Sequence, residues 1–288
     1  MENLGYYNGV YGPLDEMTVP FNDRVHFFGD GVYEACPARN HIPFALDEHI
    51  DRMYRSASMV DIHIPCDKAE MKAILLDMVK KVDSGEQFVY WQVTRGTAPR
   101  NHVYDEEMKG NLWISLKPAP LKPVGREIAA ITAEDTRFLH CNIKTLNLLP
   151  AVWYAQAAER AGVYETVLYR KTAEAVNGCR VTECAHSNVH IINRDGVFQT
   201  APTDNLILPG IARAHLLKAC RALGIGVSET PFTVSELMSA REVIISSSSA
   251  PALHCTAIDG RTVGGDAPDA LRALEKWVEA EFMAETEG

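Results

Sequence analysis

Between residues 46 and 57, Ile50, Met53, Tyr54 and Ala57 recur at intervals of three and four, the stripe of a helix with one face in a core. Asp47 stands where it can cap that helix. Residues 69–82 repeat the pattern with Met71, Ile74, Leu75 and Met78. Residues 31–36 and 42–44 predict strands around an Arg39-Asn40-His41 turn, and residues 88–94 and 111–116 predict two more, rich in aromatic and β-branched side chains. The second half alternates in the same way. Helices are predicted over 150–161, 211–223 and 267–281, and strands over 165–169, 189–193 and 243–246.

Between these halves, Pro118, Pro120 and Pro123 remove backbone donors and fix φ, which makes a stiff connector. The chain therefore divides into an N-terminal α/β domain of residues 1–117, a connector of residues 118–125 and a C-terminal α/β domain of residues 126–288. No internal repeat or low-complexity segment interrupts either half. The expected class is a two-domain α/β (α+β) protein with a cleft between its halves.

Composition narrows the partners more than the fold. A formal net charge of -10, from 28 Lys+Arg against 38 Asp+Glu, argues against nucleic acid. The start of the chain lacks a basic stretch followed by an apolar one, and no apolar run approaches the ~20 residues of a membrane helix. Seven cysteines without a Cys-x-x-Cys pair do not read as a disulfide framework, so the expected setting is cytoplasmic with reduced thiols and no membrane. Cys179 and Cys184 with His186 or His190 make a weak metal framework, and no metal is expected.

Phosphate-loop, dinucleotide, zinc-protease and nucleophile-elbow motifs are all missing. Several polar residues nevertheless sit where solvation does not explain them. Lys144, within Cys141-Asn142-Ile143-Lys144-Thr145-Leu146-Asn147, is either a snorkelling surface residue or a partly buried amine of the kind that forms Schiff bases. Glu183 is either a turn acid or the partner of a ring nitrogen. The run Ser246-Ser247-Ser248-Ser249 after a strand is either a flexible loop or a phosphate cup. Leu208-Pro209-Gly210-Ile211-Ala212-Arg213 opens a helix whose N–H groups suit an anion. Arg95, Arg100 and His102 share a Gly/Pro loop that is either an exposed basic tip or a carboxylate clamp.

Taken together, the order and spacing of Asp23-Arg24, Phe28-Gly29-Asp30-Gly31-Val32-Tyr33-Glu34, Glu48-His49-Ile50-Asp51-Arg52-Met53-Tyr54 and Leu208-Pro209-Gly210-Ile211-Ala212-Arg213 resemble the class IV aminotransferases, the fold-type IV pyridoxal-phosphate enzymes. The resemblance implies pyridoxal 5'-phosphate held in the interdomain cleft. It implies that Lys144 carries the cofactor as a Schiff base and shuttles the proton, that Glu183 binds the ring nitrogen, and that Arg52 grips the phosphate with the N–H groups of Ile211 and Ala212 and the Ser248 hydroxyl. His186 and Ser187 would lie near the ring. The Arg95-Gly96-Thr97-Ala98-Pro99-Arg100-Asn101-His102 loop looks like that of the subgroup acting on D-amino acids. There, Arg100 and His102, with Tyr33, would bind the substrate α-carboxylate across a homodimer interface.

Three positions depart from that subgroup: His186 where Ser is frequent, His190 where an apolar strand residue is common, and Ala212 where Thr is frequent. The reaction implied is ping-pong transamination between D-amino acids (D-alanine, D-glutamate) and 2-oxo acids (pyruvate, 2-oxoglutarate). A branched-chain L-amino acid aminotransferase or an aminodeoxychorismate lyase of the same fold is the nearest alternative. A non-catalytic cofactor-binding dimer is the alternative of another class.

Overall fold

The computed structural model describes residues 1–171 and 179–288, which gather into two compact units. The first holds Met1–Leu121, Ile143–Asn147 and Phe282–Gly288; the second holds Lys122–Asn142 and Leu148–Glu281. The boundary falls inside the proline connector, but two short segments return to the first unit. One of them carries Lys144, which the linear division of the sequence assigned to the C-terminal half. A five-residue segment is too short to show a periodicity, so nothing in its pattern announces the return.

The first unit contains β1 (Leu4–Tyr7), β2 (Val10–Gly12), α1 (Arg24–Phe28), β3 (Gly31–Arg39), β4 (Ile42–Pro43), α2 (Leu46–Ser58), α3 (Lys68–Val79), β5 (Gln87–Thr94) and β6 (Asn111–Pro118). Its strands form an antiparallel sheet in the order β2-β1-β6-β5-β3-β4. Met53 of α2, Met71 and Leu75 of α3, and Trp91 and Ile114 of the sheet are fully buried in one core. The stripe that predicts α2 is thus its inner face.

The expected cap of α2 is not Asp47. The N-cap is Ala45, whose φ of 51° turns the chain into the helix without a capping side chain. Its N–H is satisfied instead by Glu285 Oε1 at 2.7 Å. Asp47 lies in the first turn, where a negative charge suits the helix dipole, and pairs with Lys72. α3 does begin with a side-chain cap, Asp67 accepting from the Glu70 N–H at 2.8 Å.

The second unit contains β7 (Glu127–Glu134), α4 (Leu149–Arg160), β8 (Glu165–Lys171), β9 (Cys179–Cys184), β10 (Asn188–Ile192), β11 (Phe198–Thr200), α5 (Ile211–Ala222), β12 (Val227–Ser228), α6 (Val234–Met238), β13 (Glu242–Ser247), β14 (Ala250–Ile258), β15 (Arg261–Thr262) and most of α7 (Pro268–Glu285). The sheet runs β12-β11-β10-β13-β14-β7-β8-β9, with β15 beside β14, and mixes parallel and antiparallel pairs. It curls, so that β9 at one end of the order leads through a turn at residues 185–187 into β10. Phe198, Phe232 and Leu168 are fully buried within this unit.

The strands absent from the sequence reading have plain reasons to be missed. β7 is alanine-rich, while β9 and β14 carry Cys, Thr, His and Ala in place of large β-branched residues. His190 is buried on β10 and satisfied at both ring nitrogens by Thr200 Oγ1 and Ser246 Oγ, each at 2.8 Å. Burial and the Arg213 charge press its pKa down to about 3, so it is a neutral cross-strand link.

Candidate active site

In the first unit the residues 143–147 run alongside the start of β3. The Tyr33 N–H donates to the Lys144 carbonyl at 2.9 Å, and the Leu146 N–H donates to the Gly31 carbonyl at 2.9 Å. The Lys144 N–H donates in turn to Ser56 Oγ of α2 at 3.2 Å. Gly31 permits this approach: a Cβ there would stand 2.6 Å from Leu146 Cδ1 and 2.8 Å from the Val93 carbonyl.

Lys144 is half-buried, with Nζ 4.2 Å from the centre of the Tyr33 ring. Tyr33 stacks on Tyr90 at 5.6 Å. Lys68, Lys72, Lys81, Lys171 and Lys218 each pair with a carboxylate, but Lys144 makes no ion pair among the described residues. The amine thus lies over an aromatic ring with its side chain half-buried.

One strand position beyond Tyr33, Glu34 points into the core. It accepts from Arg52 Nε and Nη2, both at 2.7 Å, and from His49 Nδ1 at 2.7 Å. Burial pushes this carboxyl up, yet the Arg52 charge and the hydrogen bonds of Arg52 and His49 outweigh it and hold Glu34 at about 2. Burial in turn lowers the His49 pKa, so the ring is neutral and donates Nδ1–H. Arg52 is thereby fixed in orientation by a two-pronged contact.

Arg100 and His102 are exposed and flank Phe28. The guanidinium lies 5.3 Å and the imidazole 5.2 Å from its ring centre. Arg95 of the same loop is different. It is buried and bound to Asp30 and to the Val60 and Asp61 carbonyls, so it belongs to the scaffold. Within one chain Tyr33 lies with Lys144 and Tyr90, while Arg100 and His102 lie with Phe28.

In the second unit Glu183 is a buried residue of β9, not a turn acid. It accepts from Arg137 Nη1 at 2.6 Å, from Asn188 Nδ2 at 2.9 Å and from the Leu208 N–H at 3.0 Å. Burial raises its pKa, Arg137 and the Leu208 N–H lower it, and nearby Asp135 raises it again; the carboxyl ends at about 7. Arg137 is held from the other side by Asp135, which takes its Nε at 3.0 Å and its Nη2 at 2.9 Å. Asp135 also accepts from Arg170 Nε at 3.1 Å and Thr182 Oγ1 at 3.0 Å.

Asn188 links this acid to the start of α5. Its amide also donates to the Leu208 carbonyl at 3.1 Å, and a Cβ on Gly210 would stand 2.1 Å from its Oδ1, so only glycine fits there. As N-cap of α5, Gly210 offers no side chain, which leaves the first N–H groups, those of Ile211 and Ala212, to an outside acceptor. Asn188 pairs across the sheet with Ser246, two residues before Ser248 in the turn between β13 and β14. His186 and Ser187 are both engaged by buried Glu165: His186 Nδ1 pairs with it, and Ser187 Oγ donates to it at 2.7 Å.

Residues 31–258 match the amino-transferase class IV family. The chain belongs to that family. It is similar to the D-alanine aminotransferase of Bacillus licheniformis, 37% identical over 283 residues and 97% of each chain. It is also similar to that of Listeria monocytogenes, 40% identical over 253 residues, or 85% of this chain and 84% of the relative. In fold it resembles the branched-chain aminotransferases of Thermoproteus uzoniensis and Escherichia coli, with TM-scores of 0.87 and 0.86 over 99% of this chain and 96% of each of theirs. At 21% and 22% identity that likeness is one of fold.

Class IV aminotransferases work with pyridoxal 5'-phosphate, and the residues present in this aminotransferase fit it. The first unit offers a half-buried amine free of ion pairs, and the second a buried acid near neutrality and an uncapped helix start, groups whose chemistry suits an aldehyde, a ring nitrogen and a phosphate respectively. Among the described residues, no three His, Cys, Asp or Glu side chains gather to hold a metal, and no helix is long and apolar enough to cross a membrane.

Glu34, His49, Asp135, Arg137 and Asn188 escaped the sequence reading. Glu34 did carry a signal, a charged residue at the inward position between Val32 and Cys36 of an alternating strand. Asp135 and Arg137 form a turn two residues long in spacing, which no motif marks.

Proposed function

We propose that this aminotransferase transfers amino groups between D-amino acids, foremost D-alanine and D-glutamate, and the 2-oxo acids pyruvate and 2-oxoglutarate by a ping-pong route. The observation that carries this reading is the similarity, along nearly the whole chain, to relatives named for D-alanine transamination. The cationic Arg100/His102 loop on a chain of net charge -10 supports it, since a small carboxylate needs a local cation.

Pyridoxal phosphate supplies an aldehyde that condenses with amines and a ring that accepts electron density. Lys144 Nζ, half-buried over Tyr33, anchors it and carries the α-proton of the substrate. Glu183, near 7 and desolvated, is matched to share a proton with a ring nitrogen and keep it charged. Arg52, oriented by Glu34, binds the phosphate together with the Ile211 and Ala212 N–H groups and Ser248, where the dipole of α5 favours an anion. His186 and Ser187 act from the turn that Glu165 anchors beside Glu183. Arg100 and His102, with Tyr33, grip the α-carboxylate from the second protomer of a homodimer. The exposed Leu149, Val152 and Trp153 of α4, at 60%, 57% and 63%, form an apolar stripe that a second copy would cover. The setting is cytoplasmic, with no nucleic-acid or membrane partner.

The branched-chain alternative has fold likeness behind it and nothing more specific. A panel of D- and L-amino acids with 2-oxoglutarate separates the two, and preference for L-leucine over D-alanine would overturn the D-specific reading. Borohydride treatment of the cofactor-loaded enzyme followed by peptide mapping places the label on Lys144. Label on Lys117 or Lys171 would overturn that assignment.

A further inference from the structure

The loop bearing Arg100 and His102 is exposed, yet it is held from below by a buried cluster. Arg24 and Arg95 share one carboxylate: Arg24 Nε donates to Asp30 Oδ2 at 2.8 Å, and Arg95 Nε donates to both Asp30 oxygens at 3.0 Å. Both arginines then turn their remaining donors on backbone carbonyls. Arg24 Nη1 donates to the Asn101 carbonyl at 2.6 Å and Nη2 to that of His102 at 3.4 Å. Arg95 Nη1 and Nη2 donate to the Asp61 and Val60 carbonyls, each at 2.8 Å.

Two rings complete the cluster. The Tyr104 ring centre is 3.7 Å from the Arg95 guanidinium carbon and 5.9 Å from that of Arg24. Phe28, one helical turn after Arg24 on α1, has the Arg24 guanidinium at 4.9 Å and both Arg100 and His102 around it. Asp23 caps α1 through the Val25 N–H at 3.0 Å and also accepts from Thr94 and Asn111, so the helix bearing Arg24 and Phe28 is itself fixed to the sheet.

Arg24 thus joins the carbonyls of Asn101 and His102 to Asp30, and Arg95 joins that same carboxylate to the carbonyls of Val60 and Asp61, so the backbone carrying Arg100 and His102 is fixed through one shared acid.

We infer that Arg24, Asp30, Arg95 and Tyr104 are positioning residues that set Arg100 and His102 for the substrate α-carboxylate, and thereby govern affinity for carboxylate substrates without touching them. The inference rests on the proposed role of Arg100 and His102 and deepens it. None of the four acts on the reacting atoms. Their loss therefore raises KM while leaving kcat and cofactor affinity in place, whereas a general scaffold defect moves all three.

The test uses cofactor-loaded enzyme and D-alanine, with Arg100→Ala as reference. Arg24→Lys keeps the charge beside Asp30 but loses the planar fork, and Tyr104→Leu removes the ring over Arg95. Each is expected to raise KM for D-alanine roughly tenfold, the loss of about one charge-assisted contact, with kcat held within about twofold. Tyr104→Phe keeps the ring and restores a near wild-type KM. If Arg100→Ala raises KM but Arg24→Lys and Tyr104→Leu do not, the positioning role is wrong and the clamp stands. If Arg100→Ala leaves KM unchanged, the clamp fails and the positioning role with it. Parallel losses of KM, kcat and cofactor affinity in both variants would mark the cluster as general scaffold and overturn the inference.

Discussion

Glu34 in the first unit and Glu183 in the second are both buried, and both face an arginine, yet they lie at opposite ends of the carboxylate range. Glu34 is held at about 2, while Glu183 is pushed up to about 7. Burial opposes the charge in both places, so the difference lies in how the guanidinium is shared. Arg52 gives Glu34 two donors at 2.7 Å, and His49 adds a third contact. Arg137 gives Glu183 one, because its Nε and Nη2 are committed to Asp135. One cation divided between two carboxylates satisfies neither fully. The lesson is that a buried ion pair is a fixture when the fork is whole and a tuned acid when it is split.

The strongest way to break this comparison is Glu34→Gln. It removes the carboxylate that takes two donors of the buried Arg52, and a loss of about 3–5 kcal/mol in unfolding free energy is expected from urea titration. A loss below about 1 kcal/mol would show that Glu34 is no fixture. Glu183→Gln is expected to behave in the opposite way: the fold survives with its urea midpoint at pH 4.5 nearly unchanged, while kcat falls on the order of 100- to 1,000-fold for loss of a preorganised charge. Wild-type turnover in that variant would place Glu183 among the structural acids.

The two acids also predict opposite pH responses in the cofactor-free protein. Glu34 lies below its ordinary 4.5, so its stabilisation is present above that value and is lost as pH falls toward about 2. Glu183 lies above 4.5, so its folded form is favoured below 4.5 and that advantage is lost as pH rises through about 7. Stability curves of wild type and Glu183→Gln should diverge between pH 4.5 and 7 by on the order of 3 kcal/mol at most. Parallel curves would contradict the raised value. Asp135→Asn removes the rival carboxylate and returns the whole Arg137 fork to Glu183, so that pH window should move downward. A smaller effect is expected from Ala212→Thr, which adds a hydroxyl at the start of α5 and should tighten phosphate binding by about 0.5–1.5 kcal/mol in a cofactor titration.

Much of this was legible in the chain. The apolar stripes at 50, 53, 54 and 57 and at 71, 74, 75 and 78 lie on helices α2 and α3, and the aromatic runs are β5 and β6. Lys144 and Glu183 stood out as polar residues that solvation does not explain, Arg52 came only through the family resemblance, and each is at least partly buried. What escaped was long-range. Periodicity describes a residue's own element, whereas Glu34 finds Arg52, and Arg137 finds Glu183, across 18 and 46 positions. Asp47 looked like a cap because capping is a local rule, while the true partner of the helix start, Glu285, lies 240 residues away. Arg95, grouped by sequence with Arg100 and His102, is set apart from Arg100 only by what surrounds it.

That distant partner bears on how the molecule is made. Phe282 packs its ring 5.1 Å from that of Phe44, Glu285 takes the Ala45 N–H, and the Thr286 and Glu287 carbonyls accept from Arg39 and Asn40. A ribosome delivers these residues after the whole second unit. Until then the nascent first unit has its sheet and its helices but carries an open seam at the entry to α2, and until residue 147 emerges the start of β3 is paired with β5 on one edge only. Lys144 and the closing strap therefore arrive as late additions to a body begun some hundred or more residues earlier, roughly ten seconds of synthesis or longer at ordinary elongation speed. Nascent chains stalled before residue 282 should be nicked by protease near residues 39–45, and chains released with that stretch in place should resist.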